Sequence, residues 1–245
     1  MQVRASKIRY RGARDEQQDV VNVLQIPSDA GEEGYVLAVL TDGIGGLPRG
    51  REASETVNAA VLRNLAERLR QERPRDDEAI QAAARAAAEA ANLELREFQT
   101  INQVDRCGAT LVVCILRGRR LHFLSIGDSL LFAFYGGARL EKLNAAHTHE
   151  VGAKAYLASA VLGSEIKSID QASVDLAAAG IACILASSDG LVGHDLRRVA
   201  DILDNQSDRK LNDIVEFVHA RDNPRQDNLS MILLELGELP EVRRP

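Results

Sequence analysis

The stretch TLVVCILRGRRLHFLSIGDSLLFAFY, residues 110–135, decides the fold class. It contains three short β-prone runs: Thr110 to Leu116, Leu121 to Ile126 and Leu130 to Tyr135. They are separated only by Arg117-Gly118-Arg119 and Gly127-Asp128-Ser129, both turn-like. Strands joined this tightly read as antiparallel hairpins rather than βαβ units. Upstream, the pattern is helical. Ala53, Val57, Ala60, Val61, Asn64, Leu65 and Leu69 recur at three- and four-residue steps, with Glu and Arg on the other face. Pro74 breaks this helix, and the alanine-rich stretch Glu78 to Phe98 supplies a second one, suited to close packing.

Three further strands are expected before the helices: Gln2 to Tyr10, Val20 to Ile26 and Tyr35 to Leu40. Downstream come an apolar run, Ile181 to Ala186, helical patterns over Leu196 to Leu203 and Leu211 to Ala220, and a last strand, Leu229 to Leu236. Hairpins interrupted by a helix pair make the fold class α+β. There is no internal repeat, low-complexity tract or linker, so residues 1–245 are expected to form one domain. The net charge of −6 argues against partners that need a basic surface, nucleic acid and anionic membrane among them. Three cysteines do not make a disulfide framework, and neither a signal peptide nor a membrane span is legible. The expected location is cytoplasmic.

Five aspartates share one local setting, a strand end or a glycine-containing turn. Asp19 precedes Val20-Val21, and Asp42 precedes Gly43-Ile44-Gly45-Gly46. Asp128 follows Ile126-Gly127, Asp189 precedes Gly190, and Asp227 precedes Asn228-Leu229-Ser230. Any one of these is explained by the preference of Asp for turns. Five together suggest a cluster whose mutual repulsion a cation would neutralise. All-oxygen ligation without nearby His or Cys selects Mg²⁺ or Mn²⁺ over zinc.

The order of these motifs resembles the metal-dependent protein serine/threonine phosphatases (PPM-type, protein phosphatase type 2C), in a minimal, bacterial-style form. Gly12-Ala13-Arg14-Asp15-Glu16-Gln17-Gln18-Asp19 resembles the family's opening Gly-x-Arg-x-x-Asn-Glu/Gln-Asp. Asp42-Gly43-Ile44-Gly45-Gly46 and Cys107-Gly108-Ala109-Thr110 are similar to its next two motifs. Ile126-Gly127-Asp128-Ser129, Ser188-Asp189-Gly190-Leu191 and Asp227-Asn228-Leu229-Ser230 complete the series in order.

That resemblance implies a central sandwich of two antiparallel β-sheets flanked by helix pairs, with the site at one end. It implies two Mn²⁺ or Mg²⁺ ions and a weaker third. Asp42 would bridge the two, with the Gly43 carbonyl completing one sphere. Asp189 and Asp227 would hold the second ion, Asp19 would act directly or through water, and Asp128 would anchor the third. Arg14 would grip the substrate phosphate, and a hydroxide between the ions would attack phosphorus in line. The implied partners are phosphorylated proteins, targets of a serine/threonine kinase.

Departures from the family pattern are also legible. Leu130 replaces the usual Arg after Gly-Asp-Ser, and Ile44 stands where some relatives carry a histidine that could act as general acid. Asn144-Ala145-Ala146-His147-Thr148 lacks the aspartate of Thr-x-Asp-His-Ser, and the flap around 148–163 is short. Other features carry less weight. Cys114 to Arg120 fits a bare Cys-x5-Arg pattern but sits in a strand, His147 and His149 read as surface residues, and Arg68, Arg70, Arg73 and Arg75 read as a solvated helix end. Two alternatives to a general protein phosphatase remain: an inactive phosphoprotein-binding module of this fold, and a phosphatase dedicated to one small regulatory protein.

Overall fold

The computed structural model describes residues 3–27, 33–151 and 154–237. Gln2, at the start of the first expected strand, and residues 152–153 of the flap lie outside them. The strands are β1 (Val3–Tyr10), β2 (Asp19–Ile26), β3 (Tyr35–Asp42), β4 (Leu111–Arg117), β5 (Arg120–Ile126), β6 (Leu130–Phe134), β7 (Leu140–Lys142), β8 (Thr148–Val151), β9 (Lys154–Leu157), β10 (Asp170–Asp175), β11 (Cys183–Ser187) and β12 (Leu229–Leu236). The helices are α1 (Gly50–Gln71), α2 (Asp77–Ile101), α3 (Leu196–Asp204) and α4 (Lys210–His219).

Two five-stranded antiparallel sheets result, in the orders β1-β12-β11-β6-β7 and β10-β5-β4-β3-β2, plus a separate hairpin β8-β9. The first turn of the decisive stretch forms a hairpin as expected, whereas the second does not: it carries the chain from one sheet to the other, and β5 and β6 are not paired. Arg117 pairs with Arg120 across a turn in which Gly118 takes φ +56°, and Ile126 leads through Gly127, at φ +111°, toward β6. Only glycine reaches that last backbone conformation without strain.

Alternation along the strands sets the layers. Val112, Cys114 and Leu116 of β4 meet Leu131 and Ala133 of β6, Ile184 of β11 and Ile232 of β12 in an inter-sheet core. The intervening Leu111, Val113 and Ile115 face outward onto Leu65 and Leu69 of α1 and the alanines of α2. On the opposite side, Phe132, Leu185 and Leu233 pack on Val199 of α3 and Ile214 and Val218 of α4. A sheet buried on both faces explains why these strands read as continuous apolar runs. The alanine face of α2 (Ala83, Ala84, Ala87, Ala88 and Ala91, all buried) lets it lie close to α1 and the sheet.

Four strands carried no readable signal. β10, Asp-Gln-Ala-Ser-Val-Asp, is a half-exposed edge strand, β7 has three residues, and β8 and β9 form the flap. Each lacks the paired apolar faces that make a strand visible. Arg68 and Arg70 lie in the last turn of α1, where Arg68 pairs with Glu72 at 3.0 Å.

Cys114 is 1% exposed, in mid-strand, and burial pushes its thiol up to about 12. The residues after it form a hairpin turn, so the phosphate-cradling loop of a cysteine phosphatase is absent from this segment. Cys114→Ser is expected to leave phosphatase turnover per folded molecule close to that of the parent. Loss of activity in folded protein would return the cysteine to consideration.

Candidate active site

Both sheets deliver carboxylates to one end of the sandwich. The last rung of the β2–β3 ladder is Asp19 opposite Asp42, so the pairing register itself sets these two side by side. From the other sheet, β11 ends at Ser187, opposite Met231 of β12. Asp189 opens the 3₁₀ turn just past β11, and Asp227 lies two residues before β12. Asp128 sits in the β5–β6 turn. Asp19, Asp42, Asp128, Asp189 and Asp227 are thus brought together with Arg14, as the sequence led one to expect. All but Asp19, which lies fully buried beneath, line an open cleft of ≈ 420 Å³. That volume falls within the ~300–1,000 Å³ range of ligand sites.

Backbone contacts fix the Asp42 turn. The Thr110 N–H donates to the Asp42 carbonyl at 2.8 Å, and the Asp42 N–H donates to the Thr110 hydroxyl at 3.2 Å. A Cβ on Gly43 would stand 2.3 Å from the Gly50 carbonyl oxygen, so the start of α1 can close on this turn only over glycine. Ile44 and Leu157 of the flap supply the apolar wall.

The electrostatics are dominated by uncompensated acid. Asp42 is held well above the carboxylate range, by burial first and then by the charges of Asp19 and Asp189. Asp189 is pushed up to about 7 by burial, then by Asp128 and Asp227. Burial is also the leading cause of the upward shifts of Asp19 and Asp128. The cation lining the cleft, Arg14, is engaged. Its Nη2 donates to Asp227 Oδ2 at 2.5 Å, and that pairing holds the guanidinium pKa up.

Two observations bear on whether hard cations fit. Asp19 Oδ2 accepts from the Ser188 hydroxyl at 2.9 Å, whereas Asp19 Oδ1 is buried with no hydrogen-bond partner among the described residues. A bare buried carboxylate oxygen is costly unless a cation meets it. Against this, no three His, Cys, Asp or Glu side chains among the described residues form a ready-made cage for one ion. Mg²⁺-type ions held by one or two carboxylates and several waters require no such cage. The donor set fits.

His147 differs from expectation. It is half-buried, its Nδ1 accepts from the Gly127 N–H at 3.1 Å, and its own N–H donates to the Gly127 carbonyl at 2.8 Å. It therefore braces the turn that carries Asp128, a role with no local sequence signal because its partner is twenty residues away. His149 is exposed as expected and stacks on Tyr156. Asn228 escaped the sequence reading as a positioning residue. Its side chain accepts from the Gln18 N–H at 2.8 Å and donates to the Arg11 and Glu16 carbonyls at 2.7 and 3.0 Å, tying the Arg14 loop to Asp227.

A family model described as protein phosphatase 2C matches residues 13–233. The chain belongs to the protein phosphatase 2C family, whose members are protein serine/threonine phosphatases. No curated protein sequence matches it. Among solved structures, a bacterial serine phosphatase is similar at TM-score 0.81 and 18% identity, covering 98% of this chain and 100% of that one. The serine/threonine phosphatase PstP/Ppp of Mycobacterium tuberculosis matches at TM-score 0.75 and 22% identity, over 96% and 99%. PppA of Pseudomonas aeruginosa, described as a key regulatory component of T6SS, matches at TM-score 0.72 and 22% identity, over 95% and 97%. At these identities the likeness establishes the fold, the sandwich with flanking helix pairs.

The raised acids of this protein phosphatase 2C domain have a consequence for stability. A folded-state pKa of about 7 at Asp189, above the ordinary 3.8, stabilises the fold while the group is protonated and ceases to do so as pH rises through about 7. In chelator, Asp189→Asn is therefore expected to gain melting temperature on the parent between about pH 5 and about pH 8. Added Mn²⁺ should reverse the order. A difference that does not change with pH would contradict the carboxylate repulsion.

Proposed function

We propose that this protein hydrolyses phosphoserine and phosphothreonine in proteins with the help of two Mn²⁺ or Mg²⁺ ions. The observation that carries the reading is the convergence of Asp19, Asp42, Asp128 and Asp189, whose carboxyl pKa values are raised by burial and, for Asp42 and Asp189, also by neighbouring carboxylates. Carboxylate clusters of this kind mark working sites more often than structural ones. On this reading Asp42 would serve both ions and the Gly43 carbonyl one of them, Asp189 and Asp227 would hold the second, Asp19 would act directly or through water, and Asp128 would serve a weaker third.

When bound, the two cations would make hydroxide available near neutral pH and neutralise phosphate oxygens. The chain's own groups do the rest. Arg14 is 53% exposed at its side chain and needs only to leave Asp227 to present its fork to an incoming phosphate. Ile44 lines the cleft and has no proton to give, so water protonates the departing serine or threonine oxygen. Residues 1–245 act as one domain, with the short β8–β9 flap leaving the cleft open to a protein substrate, a target of a serine/threonine kinase in the cytoplasm. The short flap favours a dedicated regulatory substrate as the second reading. All five aspartates are present, which leaves the inactive-module reading without support.

Hydrolysis of a phosphothreonine peptide should require Mn²⁺ or Mg²⁺ and stop in EDTA; full turnover in metal-free protein would refute the proposal. Asp42→Asn, Asp189→Asn and Asp227→Asn are each expected to cost at least ~100-fold in turnover. Asp128→Ala should keep tight Mn²⁺ binding and lose activity only in part. Small stability losses with unchanged turnover in all four would mark ordinary turn residues.

A further inference from the structure

Past Ser187 and Met231 the β11–β12 ladder ends, yet the two loops that carry Asp189 and Asp227 stay in contact. A Cβ on Gly190 would lie 2.1 Å from the Asn228 carbonyl oxygen, so the loops touch backbone to backbone. Ser188 joins them next to the ladder, its N–H donating to the Ser230 carbonyl at 3.0 Å and its hydroxyl to the Asn228 carbonyl at 3.3 Å, and a buried side-chain amide joins them further along. Gln226, 5% exposed, donates from Nε2 to the Gly190 carbonyl at 2.8 Å and to the Asp227 carbonyl at 3.2 Å. Two carbonyl acceptors fix the amide orientation, leaving Oε1 to accept from His194 Nε2 at 3.0 Å. That fixes the histidine tautomer, with the proton on Nε2 and the buried Nδ1 without a partner among the described residues. The ring stands edge-on to Phe217 of α4, which holds it from behind. The Gln226 carbonyl, in turn, accepts from the Ala13 N–H at 2.8 Å, beside Arg14.

We infer that Gln226, oriented by His194, is a positioning residue that sets the separation of Asp189 and Asp227. The inference rests on the reading of those two aspartates as ligands of one cation. With like charges on both loops, repulsion favours their parting, and the amide resists it by bonding the two backbones at once. Loss of a residue that orients a metal ligand typically costs ~10–100-fold in metal affinity. Neither Gln226 nor His194 needs to touch substrate.

Two measurements test this, one of them without metal. In chelator, Gln226→Leu should speed hydrogen exchange across residues 188–194, where the Val192 N–H is bonded to the Asp189 carbonyl at 2.7 Å. By calorimetry, Gln226→Leu should weaken Mn²⁺ binding by ~10–100-fold. His194→Leu should move both readouts the same way, and it stands in if Gln226→Leu fails to fold. His194→Gln, whose amide N–H can replace Nε2–H, should restore them. Parent-like exchange and parent-like Mn²⁺ affinity in Gln226→Leu and His194→Leu would overturn the inference, even with a lowered melting temperature. If the parent itself binds no Mn²⁺, the functional reading fails instead, and the exchange experiment still decides the clamp.

Discussion

Repulsion between carboxylates that the fold forces together is the constraint on which the rest of this structure depends. Asp19 and Asp42 are opposed by strand register, with Asp189 and Asp227 close by from the other sheet. Left to themselves these groups would stay hydrated and apart. Asp19, Asp42 and Asp189 are instead raised in pKa, Asp189 to about 7, and one oxygen of Asp19 has no hydrogen-bond partner among the described residues. Such an arrangement costs stability in the absence of cations, and the cost must be met by the surrounding scaffold.

The scaffold meets it through four layers. Both sheets are buried on two faces, so neither can shift without opening an inter-sheet core and a helix–sheet core together. At the site end, polar contacts bind the sheets to each other. The Ser188 hydroxyl, beyond β11, reaches Asp19 of β2 at 2.9 Å, and Asn228 takes the Gln18 N–H at 2.8 Å. Asn144 does similar work at the Asp128 turn, accepting from the Leu131 N–H and donating to the Ser129 carbonyl, each at 2.8 Å. Hydrogen bonds inside a dry interior rigidify the groups they join. Asp19 and the Asp128 turn are therefore fixed by neighbours that are themselves neutral.

The strands of the core were legible because both of their faces are apolar, and the helices because their apolar residues keep a period near 3.6. The six acidic and glycine motifs were legible by their order, and Asp42 and Asp128 fall where that order puts them. What escaped notice depends on long-range partners. Edge strand β10 shows nothing in Asp170–Asp175 until Ser125 and its neighbours lie alongside. His147 reads as a surface residue until Gly127 is placed against it, and Gln226 as a loop residue until Gly190 is. Arg14 is read from the sequence as the phosphate-gripping residue, but its hold on Asp227 has no sequence signal.

The central claim is that the acidic cleft is built for two hard cations. Anomalous diffraction at the manganese edge, from crystals equilibrated with Mn²⁺, tests it most directly. The account predicts two strong peaks in the cleft with Asp42 between them, one also beside Asp189 and Asp227. A cleft without manganese under saturating Mn²⁺, with the Asp227–Arg14 pair intact, would contradict it.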